Sequence, residues 1–343
     1  MRNIYDFTLE ELEEYFLSVG DKKFRATQIY DFLYKKRIED PALMKNIGHS
    51  CQILLQKVFS FQKIKLLMKQ EDKDVSKYLF ELLDGERIES VVMFHDYGIS
   101  ICVSSQVGCN MGCRFCESGR LKKVRNLDAY EIVQQILLIE DDIQKKITHV
   151  VVMGIGEPMD NYDNVMRFIR IINCGKGMEI GSRHITVSTC GVIPGIKKFM
   201  EEDGQVNLAI SLHAPNDEIR KKIMPIASAY DMDSLFEVIE AYIAKTHRRV
   251  TMEYIMLDGI NDSSDCAFAL AKRLKGMLCY VNLIPYNETE NIGYKRSNKN
   301  QIMKFYDILK KENIAVTIRR EFGGKVDAAC GQLRANTLKK GDL

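Results

Sequence analysis

From about residue 86 onward, short runs of apolar and β-branched residues alternate with longer segments of helical periodicity, and this alternation constrains the fold more than any other feature. Segments such as 127–144 and 233–246 carry apolar residues at i, i+3 and i+4. Repeated strands of buried character, each followed by an amphipathic helix, predict a parallel sheet covered by helices. The candidate strands lie at residues 99–105, 149–154, 184–190, 206–213, 250–257, 280–286 and 315–320.

The number of these strand–helix units narrows the architecture further. Six or seven units exceed a small open sheet and fall short of the eight units of a complete barrel. The sequence therefore predicts an α/β fold whose main part is a partial (β/α)6 barrel of the TIM type. In such barrels the chemistry lies at the carboxyl ends of the strands, so the residues just after each strand are the candidates for function.

Residues 1–85 have a different character and predict a small helical accessory domain, which precedes the barrel in residues 86–343. Thr8 stands before acidic residues in the way that an N-terminal helix cap does. The segment 22–37 has a basic face, which is either a solvated helix surface or an RNA-binding surface, and the sequence leaves both interpretations open. The opposite face of this segment is apolar and carries Ile29, Phe32 and Leu33.

The composition limits the class of protein. A chain of 343 residues, of which 46% are hydrophobic, can bury a large core. No apolar run approaches the roughly 18 residues of a membrane helix, and the acidic, amphipathic start differs from a secretory leader. We therefore expect a cytoplasmic protein with no membrane partner, whose ten cysteines are kept reduced. The net charge of +2 neither requires nor excludes a nucleic-acid partner.

Three of the cysteines, Cys109, Cys113 and Cys116, follow the first barrel strand with the spacing C-x3-C-x2-C. Clustered cysteines in a reducing compartment are metal ligands or catalytic groups. A structural zinc takes four protein ligands, and no C-x2-C or H-x3-H partner stands nearby in the sequence. A four-iron cluster that is held by three thiolates keeps one iron open for a substrate or cofactor. Both metals remain candidates, and the missing fourth ligand favours the cluster.

The cysteine spacing, with Phe115 before the third cysteine, resembles the signature of the radical S-adenosylmethionine (SAM) superfamily. The resemblance implies a partial barrel that holds a [4Fe-4S] cluster on Cys109, Cys113 and Cys116. It also implies that SAM binds the open iron through its amino and carboxylate groups and is cleaved to a 5′-deoxyadenosyl radical. In such enzymes the cofactor supplies the radical, and the protein orients it and excludes side reactions.

Eight sequence blocks, in order along nearly the whole chain, resemble the RlmN/Cfr-type adenosine methyltransferases. The resemblance implies formation of 2-methyladenosine in the peptidyl-transferase centre of 23S rRNA and in tRNA, at the adenosine 3′ of the anticodon. Pro158 is typical of this carbon-2 branch. Two alternatives remain: carbon-8 methylation as in the Cfr branch, which confers antibiotic resistance, and a non-catalytic RNA-binding protein with a structural zinc. The blocks are residues 103–116, 124–127, 153–158, 185–196, 206–217, 253–263, 281–287 and 327–333.

The same resemblance implies the catalytic residues. Cys330 matches the cysteine that one SAM methylates, so that the radical from a second SAM can activate the S-methyl group for addition to the adenine ring. By composition alone Cys330 would be a core cysteine. Cys102 matches the cysteine that resolves the RNA adduct and forms a disulfide bond with Cys330, and Glu89 matches the proton acceptor. We treat Cys102 and Glu89 as competing candidates for the base. The simpler interpretations are that Cys102 is a buried strand cysteine and that Glu89 is a solvent-facing glutamate.

The cofactor contacts that the resemblance implies follow consecutive strands. Gly156 permits close approach of the backbone, and Glu157 is placed to accept a hydrogen bond from the cofactor ammonium. The simpler interpretations are a strand hydroxyl for Ser188, a strand-end histidine for His213 and a turn residue for Asn287. The complete predicted set is Gly156, Glu157, Ser188, Ser211, Leu212, His213 and Asn287.

The resemblance further implies 23S rRNA and tRNA as partners, an electron donor such as flavodoxin, and a monomeric enzyme. The sequence departs from the family pattern at Glu117, Ala227 and Lys325. These departures leave the cysteines intact, so they bear on the position of the substrate more than on the chemistry. The candidate RNA-binding residues beside the cysteines are Arg120, Lys122, Lys123 and Arg125.

Overall fold

The computed structural model describes residues 1–289 and 292–319, which carry one large β-sheet with helices packed against it. The strands are β1 (Lys65–Asp72), β2 (Val75–Glu81), β3 (Arg87–His95), β4 (Gly98–Cys102), β5 (Gln106–Val107), β6 (Arg125–Asn126), β7 (His149–Val152), β8 (Ile185–Thr189), β9 (Asn207–Ser211), β10 (Val250–Met256), β11 (Cys279–Pro285) and β12 (Val316–Ile318). The helices are α1 (Leu9–Ser18), α2 (Phe24–Tyr30), α3 (His49–Val58), α4 (Ala129–Ile143), α5 (Tyr162–Asn173), α6 (Ile193–Phe199), α7 (Asp217–Ile223), α8 (Met232–Thr246), α9 (Ser264–Leu274) and α10 (Lys299–Lys311).

Ten strands share one sheet in the order β1-β2-β3-β4-β7-β8-β9-β10-β11-β12. The neighbours from β4 to β12 pair in parallel, and helices α4 to α10 lie in the connections between them. Each of these seven strands overlaps one of the seven predicted segments, so the predicted parallel sheet is confirmed. Strands β1 and β12 are the two edges of the sheet, and the described residues therefore form a partial barrel.

The hydrophobic core lies between the parallel strands and their helices. On α4 the side chains of Ile132, Ile136 and Ile139 are fully buried, at the spacing of one helical face. Val150 of β7 and Leu208 of β9 are also fully buried. In the described part of the chain, no helix is both long and apolar enough to cross a bilayer.

The N-terminal helices form as the sequence predicts. Thr8 Oγ1 accepts a hydrogen bond from the backbone N–H of Glu11, and the Glu11 carboxylate accepts one from the N–H of Thr8, which completes a capping box at the start of α1. The predicted apolar face of the segment 22–37 is buried. Glu11 also pairs with Arg167 of α5, so this helix start contacts the barrel directly.

Strands β1 and β2 lie within the region predicted to be a helical domain and form an antiparallel hairpin. The hairpin continues through β3 into β4, which joins it to the barrel sheet. The predicted domain boundary at residue 85 falls in the turn between β2 and β3, and the division into two domains stays a prediction. Strand β1 was not predicted from the sequence. This edge strand carries Lys, Gln, Glu and Asp side chains, so it lacks a clear alternation of apolar and polar residues.

We expect Thr8→Ala to lower the free energy of unfolding by about 1 kcal/mol, because it leaves the N–H of Glu11 without its capping oxygen. Urea titrations followed by far-UV circular dichroism measure this change. Glu14→Ala, an exposed change on the same helix, is the matched control. Equal stability of the two variants would show that the cap contributes nothing to the docked N-terminal helix.

Candidate functional site

A cavity opens at the carboxyl ends of the parallel strands and encloses about 950 Å³ of empty space, its mouth included. All three predicted cluster cysteines line it, together with the loop after β7 and the ends of β8, β9, β10 and β11. The structure thus brings most of the predicted site residues to one edge of the sheet.

The cysteine loop is held in a compact shape by its own backbone. The ribbon of β5 and β6 closes its ends, and the N–H of Cys116 donates to the carbonyl of Cys113 at 3.1 Å. Gly108 has φ +72°, and a Cβ there would lie 2.1 Å from the carbonyl oxygen of Lys122. A side chain at Gly119 would likewise meet the carbonyl oxygen of Cys113 at 2.6 Å. The loop therefore requires glycine at both positions to place its thiols.

The three thiols suit a cluster better than a single metal ion. Burial raises the pKa of Cys109 to about 12, and burial together with the neighbouring thiols raises the pKa of Cys113 further, so these thiolates need a cationic partner. Within residues 1–289 and 292–319, no three His, Cys, Asp or Glu side chains converge on one point as zinc ligands do. The thiolates of a cubane bind separate iron atoms and need no such convergence.

His213 joins the cysteine loop to the strand ends. Its backbone is left-handed, with φ +56°, and its ring packs edge-on against Phe115 with centroids 4.9 Å apart. Nδ1 accepts a hydrogen bond from the N–H of Ile255 at 3.1 Å, which leaves the proton on Nε2. Asn261 supports this arrangement, since its Nδ2 donates to the carbonyls of His213 and Ile255, both at 2.7 Å. Burial, with a contribution from the charge of Arg220, lowers the pKa of His213 to about 3.

Gly156 and Glu157 form the wall opposite the cysteines. Gly156 has φ +113°, and a Cβ there would lie 2.7 Å from the Cβ of Gln106. The Glu157 carboxylate accepts hydrogen bonds from the N–H of Met159 at 3.0 Å and of Cys190 at 2.8 Å. It is almost fully buried, and burial raises its pKa although both backbone donors oppose the change. Glu157 is thus a rigidly held acceptor that faces the cavity.

The remaining predicted cofactor residues divide into two groups. Ser188 and Ser211 line the cavity at the ends of β8 and β9, with their Oγ atoms 3.5 Å apart. Leu212 is fully buried and contributes its backbone, whose carbonyl accepts a hydrogen bond from Arg220. Asn287 lies two residues beyond β11. Among the described residues that line the cavity, Leu212 and Asn287 do not occur.

The structure adds polar lining residues that the sequence analysis missed. Glu253, buried within β10, accepts a hydrogen bond from Asn282 of β11 at 2.8 Å, and burial raises its pKa. Arg319 follows β12 and lines the same cavity as Glu253. The sequence did contain a sign of Glu253, which is the one charged residue in the predicted strand 250–257. A charged side chain in a buried strand is rarely left without a partner, so it indicates a polar contact or a site.

Glu89 and Cys102 are not among the described residues that line this cavity, and they lie on the neighbouring strands β3 and β4. Glu89 is fully buried, so the interpretation as a solvent-facing glutamate is wrong. Its carboxylate pairs with Lys77 of β2 at 3.5 Å. Val91 is paired in register with Cys102, and Glu89 projects from the same face of β3 as Val91. The two predicted bases therefore share one face of the sheet.

The methyl-carrier cysteine Cys330 lies outside the described residues, as does Lys325. Among the residues that the structure describes, no two cysteines form a disulfide bond with each other. The disulfide bond between Cys102 and Cys330 is therefore not observed in the described part and stays a prediction. Glu117, a departure from the family pattern, is 5% exposed, so this carboxylate lies buried beside the cysteine loop.

The basic run after the cysteines is less available to RNA than its sequence indicates. Arg125 forms a bidentate pair with Glu131, with both distances 2.8 Å, and a further pair with Asp84. Lys123 lies 3.2 Å from Asp160. Because these charges are compensated within the fold, Arg125 in particular stabilises the start of α4.

Two family descriptions match the chain. Residues 2–60 match the ribosomal RNA large subunit methyltransferase N-terminal domain, and residues 103–268 match the radical SAM superfamily. The second range contains the cysteine loop and the loop of Glu157. The match to this superfamily implies a [4Fe-4S] cluster and SAM as cofactors.

Relatives and a solved structure extend the similarity over the whole chain. A probable dual-specificity RNA methyltransferase RlmN from Enterococcus faecalis is 52% identical over 98% of this chain and 97% of its own. A protein of the same description from Streptococcus thermophilus is 52% identical over 98% and 89% of the two chains. The crystal structure of a radical SAM methyltransferase from Sphaerobacter thermophilus is 38% identical, with a TM-score of 0.92 over 98% of this chain and 100% of that one.

The lowered pKa of His213 predicts a pH dependence of stability. The neutral ring is favoured in the folded state, so its contribution is full above the unfolded pKa of about 6.5 and is lost as the pH falls below that value. Between pH 7.5 and 5.5 we expect this residue to cost about 1 kcal/mol of unfolding free energy. Urea titrations at both pH values, compared with His213→Gln, measure the difference.

The control is His247→Gln, because His247 also has a left-handed backbone but is exposed. We expect the control to keep the pH dependence of the wild type, while His213→Gln loses the part due to this ring. If His213→Gln kept the full dependence, the neutral buried imidazole would not be its source.

Proposed function

Because this chain belongs to the RlmN family of radical SAM methyltransferases, we propose that it forms 2-methyladenosine in 23S rRNA and in tRNA, at the adenosine 3′ of the anticodon. The observation that carries the proposal is the cavity at the carboxyl ends of the strands, where three thiols meet a buried carboxylate and two hydroxyl groups. Adenine carbon 2 is an electrophilic amidine carbon, so a polar methyl donor does not attack it and a carbon radical does. The site fits a cofactor that supplies such a radical.

Cys109, Cys113 and Cys116 would hold the [4Fe-4S] cluster, and their donor set leaves one iron open. When bound there, SAM supplies a 5′-deoxyadenosyl radical after one-electron reduction. The chain's own part is to bind and orient the cofactor. Gly156 lets the backbone approach it, Glu157 accepts from its ammonium group, and Ser188, Ser211 and His213 present polar atoms along the adjacent strand ends. Leu212 and Asn287 complete the proposed set through the walls next to the cavity.

We assign the methyl transfer to Cys330, with two molecules of SAM consumed per turnover. The Cys330 thiol would receive a methyl group from one SAM and lose its proton, and the S-methyl group would then give a hydrogen atom to the radical that the second SAM supplies. The position of Arg319 at the cavity supports this assignment, because Cys330 follows it by only 11 residues and the chain leaves β12 at the site.

Release of the RNA adduct would fall to Cys102 and Glu89. Their common face of the sheet supports a joint role. After the adduct radical has given one electron to the oxidised form of the electron carrier, one group would take the proton from adenine carbon 2. The Cys102 thiolate would then attack the Cys330 sulfur, so that the S–S bond forms as the bond from that sulfur to the methylene carbon breaks, and the released carbon takes up a proton to become the methyl group. Lys77 pairs with Glu89 at 3.5 Å, which fixes the position of the buried carboxylate.

The partners follow from the proposed reaction. An electron donor such as flavodoxin would deliver single electrons, and the RNA substrates place the enzyme in the cytoplasm, where we propose that it acts as a monomer. Carbon-8 methylation is the alternative product. Pro158, which starts the turn after Glu157, favours carbon 2.

The product test uses anaerobically reconstituted full-length protein, SAM, a reductant and protein-free rRNA or tRNA, followed by nucleoside digestion and mass spectrometry. We expect 2-methyladenosine from the wild type and at least about a hundredfold less from Cys330→Ala. Cys279→Ala is the matched control, because Cys279 is a buried cysteine at the opposite end of β11 from the cavity. Appearance of 8-methyladenosine, or a preparation with zinc and no iron, would contradict the proposal.

Variants of Cys102 and Glu89 distinguish the two roles, because each variant should stop the reaction at a different species. We expect Cys102→Ala to build up a covalent protein–RNA adduct, visible as a shifted band on a denaturing gel, because no second thiol is available to attack the Cys330 sulfur. Glu89→Gln should lower the rate of product formation about tenfold or more, without loss of bound iron. If Glu89→Gln trapped the adduct and Cys102→Ala turned over normally, the assignments would be reversed.

A further inference from the structure

Arg220 is a fully buried arginine in the wall of the site, and the proposed reaction gives it no role. It projects from α7, where Nη2 donates to the carbonyl of Cys190 at 2.7 Å and Nε donates to the carbonyl of Leu212 at 3.3 Å. These carbonyls belong to the residues that directly follow β8 and β9. The guanidinium therefore ties together the ends of two neighbouring strands beneath the cavity.

The third nitrogen, Nη1, is buried and has no hydrogen-bond partner in the part of the chain that the structure describes. The two bonds that Arg220 does make go to neutral carbonyl oxygens, which compensate its charge only in part. A buried guanidinium keeps its charge, which is costly unless it is compensated. The Asp217 carboxylate of the same helix acts on this charge but forms no hydrogen bond with Nη1 in the described part of the chain. An anionic group that belongs beside Nη1 is the simplest account of this arrangement.

The cysteine loop lies next to α7. The N–H of Arg114 donates to the carbonyl of Ile223, the last residue of α7, at 2.9 Å. Ile219 and Ile223 pack in one hydrophobic cluster with Phe115 and Cys113. Cys190, whose carbonyl accepts the bond from Arg220, belongs to the same cluster and lines the cavity together with Cys113. The anion beside Arg220 is therefore to be sought at the cysteines.

We propose that Arg220 is a positioning residue that raises the reduction potential of the [4Fe-4S] cluster through its buried positive charge. The inference rests on the proposed cluster site. A [4Fe-4S]2+ core with three thiolates carries a net charge of −1, and one electron from the donor changes it to −2. A fixed positive charge in a medium of low dielectric constant stabilises the reduced form more than the oxidised form. Arg220 thus makes the cluster easier for a one-electron donor to reduce.

The experiment is a redox titration of the anaerobically reconstituted full-length protein, with the reduced cluster followed by electron paramagnetic resonance. In Arg220→Gln, at a fixed ambient potential, we expect the ratio of oxidised to reduced cluster to rise at least about tenfold, which is a shift of 59 mV for a one-electron couple. Arg220→Lys keeps the charge and should stay within about threefold of the wild type. Lys221→Gln, an exposed change next in the chain, should leave the ratio unchanged.

Arg220→Met is a second neutral variant, which keeps the test possible if Arg220→Gln does not fold. A buried charge can often be replaced by an apolar side chain of similar volume. A neutral variant that binds a full cluster at the wild-type potential would overturn the inference, and so would a lysine variant whose potential falls as far as that of the glutamine variant. Loss of iron from both folded neutral variants would overturn it in favour of a role in cluster assembly. A wild-type protein with no cluster signal would instead reject the proposed cofactor itself.

Discussion

The parallel pairing of β4 and β7 to β12 is the constraint on which the site depends. Parallel strands point all their carboxyl ends to one edge of the sheet, so the loops that follow them converge although they are far apart in sequence. The cysteine loop after β4 and the loop of Glu157 after β7 meet in this way, with Ser188 at the end of β8 and His213 after β9 beside them. If the strands did not run in the same direction, the loops that carry these residues would lie at different edges of the sheet and would not form one site.

Hydrogen bonds between neighbouring loops convert this convergence into a defined cavity. The Glu157 carboxylate binds the backbone of Cys190, and Arg220 links the carbonyls that follow β8 and β9. Asn261 holds the backbone of His213 through two short bonds to neighbouring carbonyls. Each polar side chain in this layer spans two strand ends. Their geometry is therefore set by the sheet and by these hydrogen bonds.

The sequence predicted the elements whose pattern is local. Alternating apolar strands and amphipathic helices revealed the barrel, and Thr8 revealed the cap of α1, because both signals lie within a few residues. The edge strand β1 escaped prediction since its polar side chains hide the period of a strand. The charges were harder still: Arg125 looked like an RNA contact and proved to bind Glu131 and Asp84, carboxylates that the linear sequence does not place beside it.

The spacing of Cys109, Cys113 and Cys116 by itself predicted a metal centre and favoured a cluster over zinc, because ligands on one loop need only a short chain to bring them together. The tertiary structure decided what surrounds that loop. It buried Glu89 against Lys77, placed Glu253 inside the barrel, and joined the guanidinium of Arg220 to the carbonyls that follow β8 and β9. Burial and pairing depend on residues that are distant in sequence, and only the folded sheet brings those residues within the few ångströms over which charges and hydrogen bonds act.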